Sequence, residues 1–222
     1  PVKPNELMKN LGSPLIVKPA VSGGSLGLGI KNVVDNPTDL QLQLDKMFEG
    51  YRGWNLSTDG IVAESFIQGP EYTVMIVGSH HQPEYAKIYP PVERVFHASL
   101  PAKEKFLSFD RLWEIYEEES PMPQEENFYE YALGSDTTQM AIQKVAWDAY
   151  VAVGGTGYTR VDVRVDKHTG TPYVLEVNAQ CGISEDENFT SIGAILRYAN
   201  QSFTELIIHI INDAFARRKK IN

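Results

Sequence analysis

Polar and apolar positions alternate most strictly near the C-terminal end of the chain, from Gly157 to Asn178. Val161, Val163 and Val165 fall on one side of a strand and Arg160, Asp162 and Arg164 on the other, because strand side chains alternate with period two. Beyond Lys167-His168-Thr169-Gly170 a second run sets Tyr173, Leu175 and Val177 against Glu176 and Asn178, so the stretch predicts a β-hairpin. Pairing Val165 with Tyr173, which leaves Pro172 at the strand's start where a missing N–H is tolerated, puts Asp162 opposite Glu176.

The rest of the chain divides by the same rules. Pro14 to Pro19 reads as a short buried strand stopped by its closing proline, and Ile30 to Val34 as a second strand beyond the glycine-rich run Ser22 to Gly29. Asn36 caps a helix opened by Pro37, whose stripe Leu40, Leu44, Met47, Phe48 and Tyr51 runs through to Arg52. Strands follow at Ile61–Ile67 and Glu71–Val77, separated by Gln68-Gly69-Pro70, with a further strand expected at Pro90–Val95 and a helix at Leu112–Glu119. A long helix is predicted from Asp136 or Thr137 to Val153, with Met140, Val145, Trp147, Ala149 and Val151 inward and Gly154-Gly155 as its stop. Ala179–Asn188 reads as a loop and Ser191–Tyr198 as a short helix. Ser202 and Glu205 form a capping box for the last helix, whose Leu206, Ile207, Ile210, Ile211 and Ala214 are expected to face the core.

Composition narrows the classes. The chain has 222 residues, 42% of them hydrophobic, enough for one large domain or two subdomains sharing an interface. A formal net charge of −9 argues against a nucleic-acid partner, and no apolar run reaches the length of a membrane span. The single cysteine, Cys181, excludes an internal disulfide and fits a reducing, cytoplasmic setting. The chain opens at Pro1-Val2-Lys3-Pro4 without methionine, as a trimmed or proteolytic fragment would, so missing upstream sequence is expected.

Three stretches carry candidate chemistry. Like charges facing each other across a ladder are destabilising, so Asp162 opposite Glu176 asks for a cation, and two carboxylates with the amide oxygen of Asn178 are hard ligands that suit Mg²⁺ better than Zn²⁺. A half-solvated hairpin with its charges in water is the plain alternative. The run Ser22–Gly29 matches neither Gly-x-Gly-x-x-Gly nor a Gly-Lys-Ser/Thr loop; what remains is a flexible lid whose backbone N–H groups can close over phosphates beside Lys18, or a glycine-rich turn with no ligand. Glu64 and Glu71 bracket a linker between strands, either as edge charges or as a hinge where strand-edge groups read a purine and Glu71 accepts from ribose hydroxyls.

Taken in order, Val17-Lys18-Pro19 with Gly23-Gly24-Ser25-Leu26-Gly27, then Glu64 to Val74, then Gly157-Tyr158-Thr159-Arg160-Val161-Asp162, then Leu175-Glu176-Val177-Asn178 leading to Gly182, resemble the ATP-grasp superfamily, and within it the D-alanine–D-alanine ligase-like branch. The resemblance covers nearly the whole chain from Leu15. It implies an α+β fold of two subdomains with mainly antiparallel sheets gripping ATP between them, residues 1–68 forming the small one with the lid and residues 69–222 the large one with the hairpin. It implies ATP and one or two Mg²⁺ ions, with Mn²⁺ as an alternative. By position, Lys18 would bind the α- and β-phosphates, Gly24, Ser25 and Gly27 would close over the triphosphate, Glu64, Ser65, Phe66 and Ile67 would meet the adenine edge, and Glu71 the ribose. Asp162, Glu176 and Asn178 would hold the metal, while Arg160 and the Gly182 N–H would face the acyl phosphate and the tetrahedral intermediate. The activity implied is a carboxylate–amine ligase that forms an acyl phosphate and then an amide from small amino-acid-like carboxylate and amine substrates, with no membrane or nucleic-acid partner.

The chain departs from the family pattern in three places. D-alanine ligases carry an N-terminal domain and a further phosphate-binding lysine ahead of the first strand, and only fourteen residues precede Leu15 here. The other expected phosphate-binding lysine, before the hairpin, is assigned to Lys105, with Lys103 close behind. Cys181 stands where the family usually has proline, as a tolerated loop change or a reactive thiol, and Glu185-Asp186-Glu187 replace a substrate-binding serine, favouring a cationic substrate group or forming a solvated loop. A nucleotide-binding regulatory module that has lost its acceptor site is the second reading, and a purely structural domain the third.

Overall fold

The computed structural model of the chain describes residues 3–51, 53–113, 119, 122, 126–186 and 190–218. Its elements follow in the order α1 (Pro4–Leu11), β1 (Leu15–Pro19), β2 (Val33–Val34), α2 (Pro37–Glu49), β3 (Ile61–Ser65), β4 (Glu71–Ser79), β5 (Lys87–Ile88), β6 (Val92–Phe96), α3 (Phe109–Leu112), β7 (Tyr129–Leu133), α4 (Asp136–Ala152), β8 (Thr156–Val165), β9 (Pro172–Ala179), α5 (Ser191–Ala199) and α6 (Phe203–Arg218). They group into two compact units, Pro1–Phe66 with Ala98–Glu126, and Ile67–His97 with Asn127–Asn222. Both mix helices with an antiparallel sheet, the α+β class expected.

In the first unit the sheet runs β2-β1-β3. Leu15 and Val17 point to one face, where they meet Leu40 and Met47 of α2 and, from α1, Leu7 and Met8. On the opposite face Val33, Phe66 and Phe106 close a second cluster, Phe106 coming from the Ala98–Glu126 segment of the unit. Asn36 accepts the Asp39 N–H at 3.0 Å, the N-cap that its sequence signals. Helix α2 ends at Glu49, and Phe48, expected in the apolar stripe, is exposed. Ile30–Asn32 is a 3₁₀ turn, and only Val33 and Val34 of the expected second strand pair with β1. Of the helix expected at 112–119, residues 114–118 lie outside the described residues; Leu112 closes the short α3, begun by a Ser108 cap.

In the second unit the sheet runs β7-β6-β4-β8-β9, with β5 on β4. All nine residues of the central β4 are buried, because both faces are covered. Tyr72, Val74, Ile76, Val161 and Val163 pack under Ile142, Ala146 and Tyr150 of α4. Met75, Val77 and Val92 pack on the other face with Ile192 and Ile195 of α5 and Leu206 of α6. The inward face of α4 differs from the expected one: Met140 and Val151 are exposed, whereas Ile142, Ala146 and Tyr150 are buried. In α6, Ser202 and Glu205 make the expected capping box, with Glu205 Oε2 accepting the Ser202 N–H at 2.6 Å, but Ile211 and Ala214 face outward.

The hairpin of β8 and β9 forms with a different register. Val165 faces Pro172 and Arg164 faces Tyr173, so the pairing near the turn is one residue off the expected one. Asp162 nevertheless faces Glu176, because Leu175 is an extra, unpaired residue in β9. That bulge also changes which side chains point inward. Val174 and Val177, three apart, both pack on the α4 side, while Tyr173 and Leu175 are exposed.

Candidate functional site

On the α5–α6 side of the second sheet the apolar cover ends at Met75, and the residues beyond it are charged or polar. The registers align them in rows. Arg94 of β6, Glu71 of β4 and Arg164 of β8 lie side by side, so positive, negative and positive charges alternate across three strands. In the next row Thr73, Asp162 and Glu176 are neighbours, and in the third Met75, Arg160 and Asn178. Opposite charges placed directly across a ladder stabilise it, which makes the first row compatible with its low exposure.

Asp162 is the best connected of the set. Thr73 Oγ1 donates to its Oδ1 at 2.8 Å, Arg160 Nε to Oδ1 at 3.0 Å and Arg160 Nη2 to Oδ2 at 2.8 Å. The Asn178 Nδ2 donates to Asp162 Oδ2 at 3.2 Å and to Glu176 Oε1 at 2.7 Å, so one amide spans both carboxylates. Arg160 Nη2 stands 3.8 Å from Glu176 Oε1. Burial works against the Arg160 charge, but Asp162 outweighs it and raises the guanidinium pKa. Partial burial raises the pKa of Glu176; the Asn178 hydrogen bond opposes this and the Asp162 charge adds to it.

These residues fit a hard divalent cation. Two carboxylates face each other, an amide bridges them, and rotating that amide by half a turn presents its oxygen in place of its nitrogen. Because the third donor is Asn178, no cluster of three or more His, Cys, Asp and Glu arises among the described residues.

Glu71 is buried. Arg94 Nη1 donates to its Oε1, and Arg164 Nη2 lies 4.0 Å from its Oε2. The linker before it is held to the hairpin, with Lys167 N–H donating to Gln68 O at 2.8 Å and Val165 N–H to Pro70 O at 2.9 Å. Past β9, Gln180 takes a left-handed conformation (φ 53°) and Cys181 turns into the core. Burial pushes its thiol up to about 11, with Arg160 pulling it down and Asp162 pushing it up, so Cys181 is a packing residue. Gly182 has open space where a Cβ would stand. Glu185 and Asp186 are exposed, and Thr190 Oγ1 donates to Asp186 O at 2.6 Å; Glu187 lies outside the described residues.

In the first unit Lys18 and Glu64 share a face of the sheet and form an ion pair of 2.6 Å. The glycine-rich run is held at its base and open at its tip. Buried Asn32 donates to Val17 O at 2.7 Å and to Gly27 O at 2.9 Å, and accepts the Gly29 N–H at 2.9 Å. Gly27 itself sits at φ 78° with Leu56 2.7 Å from where a Cβ would be, so the position requires glycine. At the tip, Gly24 and Ser25 have φ of 60° and 59°, and Trp113 Nε1 reaches Gly24 O at 3.4 Å. Ser65 Oγ donates to Leu11 O at 2.6 Å. Phe66 is buried against Phe106, its N–H given to Pro14 O at 2.9 Å, and Ile67 is half-buried. Lys105 is half-buried beside the 3₁₀ turn Ala102–Glu104, in the same unit as Lys18.

The site thus resolves into two sets. Asp162, Glu176, Asn178 and Arg160 come together in the second unit, and Lys18 with Glu64 in the first. Sequence reasoning missed Thr73, Arg94 and Asn32. For Arg94 a signal existed: it occupies the middle of the inward series Val92, Arg94, Phe96, where alternation leads one to expect an apolar side chain.

An α+β chain with antiparallel sheets, a glycine-rich run after its first strand and a paired-carboxylate hairpin has the fold of the ATP-grasp ligases. Residues 2–212 match the family described as D-ala D-ala ligase C-terminus, and the chain belongs to that family. A D-alanine–D-alanine ligase of Polynucleobacter asymbioticus is 29% identical over 97% of this chain and 55% of its own length. A D-alanine–D-alanine ligase of Bacillus anthracis, solved in complex with ATP, superposes with a TM-score of 0.64 at 23% identity, over 97% of this chain and 57% of that one. The VanG D-Ala:D-Ser ligase of Enterococcus faecalis gives a TM-score of 0.65 at 18% identity, over 94% of this chain and 52% of that one. The chain spans about half the length of these relatives.

Proposed function

We propose that this chain is the ATP-binding, carboxylate-activating part of a carboxylate–amine ligase that joins amino-acid-like substrates. The observation that carries the reading is the row Thr73, Asp162, Glu176 with Asn178 spanning both carboxylates, in a chain of the D-alanine–D-alanine ligase family. Asp162, Glu176 and Asn178 would hold Mg²⁺, whose charge would offset that of the phosphate oxygens. Lys18, with Lys105 in the same unit, meets those oxygens, and Gly24, Ser25 and Gly27 supply backbone N–H groups to them. Glu64 to Ile67 meet the adenine edge and Glu71 accepts from the ribose.

The substrate carboxylate attacks the γ-phosphorus and ADP leaves; the amine then attacks the acyl carbon and inorganic phosphate leaves. No protein nucleophile is needed. Arg160 and the Gly182 N–H stabilise the oxyanions that develop, so the catalysis is positioning and charge neutralisation. The test is Mg²⁺-dependent ADP release by the full-length protein with candidate amino acids. In the same assay series Glu176→Gln abolishes Mg²⁺-dependent ATP binding with circular dichroism unchanged; unaltered affinity would remove Glu176 from the metal set. Tight ATP binding without ADP release on any carboxylate would mark a regulatory module instead.

A further inference from the structure

Arg94 is 7% exposed in the inward series of β6. One nitrogen, Nη1, pairs with Glu71, and its Cζ lies 5.1 Å from the Tyr129 ring centre and 5.8 Å from that of Tyr131. Its Nε is buried with no hydrogen-bond partner. A buried ion pair with a donor left over is a poor device for stability alone, since apolar side chains of similar volume commonly serve as well or better. The pair is also asymmetric at its other end. Oε1 of Glu71 is taken by Arg94, whereas no hydrogen bond from the described residues reaches Oε2, which Arg164 approaches only to 4.0 Å.

Glu71 is the first residue of β4, directly after a linker fastened to the end of the hairpin. Its backbone is therefore fixed by the sheet and its carboxylate by Arg94, and a single oxygen is left to accept. The two tyrosine rings beside Arg94 suit a planar guanidinium and would suit a lysine ammonium less well.

We infer that Arg94 is a positioning residue for nucleotide recognition: it orients Glu71 so that Oε2 accepts hydrogen bonds from the vicinal hydroxyls of the ribose. The inference rests on the reading of Glu71 as the ribose acceptor. Arg94 itself touches Glu71 and the tyrosines, and acts on the sugar through the carboxylate.

The test compares Mg²⁺-dependent binding of ATP and of 2′,3′-dideoxy-ATP to the full chain by calorimetry. A hydrogen bond to a charged group is worth enough for the wild type to prefer ATP by about tenfold or more. Arg94→Met and Glu71→Gln each bring the ratio below about threefold, and the double variant brings it no lower, because both act on the same contact. Arg94→Lys, which retains a charge and guards against loss of the fold, keeps the melting behaviour but lowers the ratio by at least half. Wild-type discrimination retained in Arg94→Lys and Arg94→Met overturns the inference, as does a wild type that binds ATP and the dideoxy analogue equally. A wild type that binds no ATP at all overturns the proposed function, and this inference with it.

Discussion

Replacing Arg160 by methionine removes the cation that lies on Asp162 and leaves two carboxylates facing each other. Asp162 is 11% exposed in its side chain and Arg160 26%, so the pair is only partly screened. Breaking a fully buried pair costs about 3–5 kcal/mol because a charge is left uncompensated. Two hydrogen bonds to Asp162 survive, from Thr73 and Asn178, and water reaches part of the site, which brings the expected loss to about 2–3 kcal/mol. For a chain of this size that is about 5–10 °C in Tm. A divalent cation held by the same two carboxylates offsets the loss: Mg²⁺ at ten times its dissociation constant returns about 1.4 kcal/mol. Thermal melts with MgCl₂, against choline chloride at equal ionic strength, therefore show a larger Mg²⁺-induced rise in the variant than in the wild type. Adding Asp162→Asn to the variant recovers part of the stability and abolishes the rise. Equal Mg²⁺ responses in wild type and Arg160→Met would refute the idea that guanidinium and metal offset the same carboxylate charge, and an unchanged Tm would refute the idea that Asp162 depends on Arg160.

Three further outcomes follow from single positions. Gly69→Ala puts a Cβ 2.0 Å from Val165 O and 2.9 Å from Lys167 N, both backbone atoms, so it costs about 2–3 kcal/mol in urea unfolding; a loss under about 0.5 kcal/mol would mean the linker is not fastened to the hairpin. Asn32→Ala removes the hydrogen bonds that hold Val17, Gly27 and Gly29 together, and limited proteolysis then cuts within residues 22–29 at least tenfold faster than in the wild type. Cys181 is raised from 9.0 to about 11, so the unfolded thiol ionises first; the stability it contributes is complete below pH 9 and is lost as pH rises toward 11. Native protein at pH 8 accordingly leaves a disulfide reagent unreacted until urea is added, and prompt native labelling would place the thiol outside the core.

Features set by near neighbours were legible in the sequence. Asn36 before Pro37 and Ser202 before Glu205 are local signals whose hydrogen bonds span three residues, and both caps form. Alternation from Arg160 to Val165 marked the polar face, but Asp162 and Glu176 share a row only because the bulge at Leu175 makes up the one-residue shift of the pairing near the turn. What failed depended on partners far along the chain. The rotation of α4 is fixed by Tyr72, Val74 and Val161 beneath it, so Ile142 and Tyr150 turn inward and Met140 and Val151 do not. The strand β7 pairs with β6 across an intervening stretch that gave no clear pattern. Arg94 and Glu71 are separated by 23 positions and meet only because β6 lies against β4.

The extra residue in β9 has a consequence for how the hairpin can change. Val163 pairs with Val174 on one side of Leu175, and Asp162 with Glu176 on the other. A chain lacking Leu175 keeps all of these pairs, restores strict alternation, and still sends Val174 and Val177 to the core. What it loses is the bend that a bulge imposes on its strand. Which residues face each other and the angle at which Glu176 is presented are thus separable properties, held by different atoms, and a single surface residue is the adjustable spacer between them.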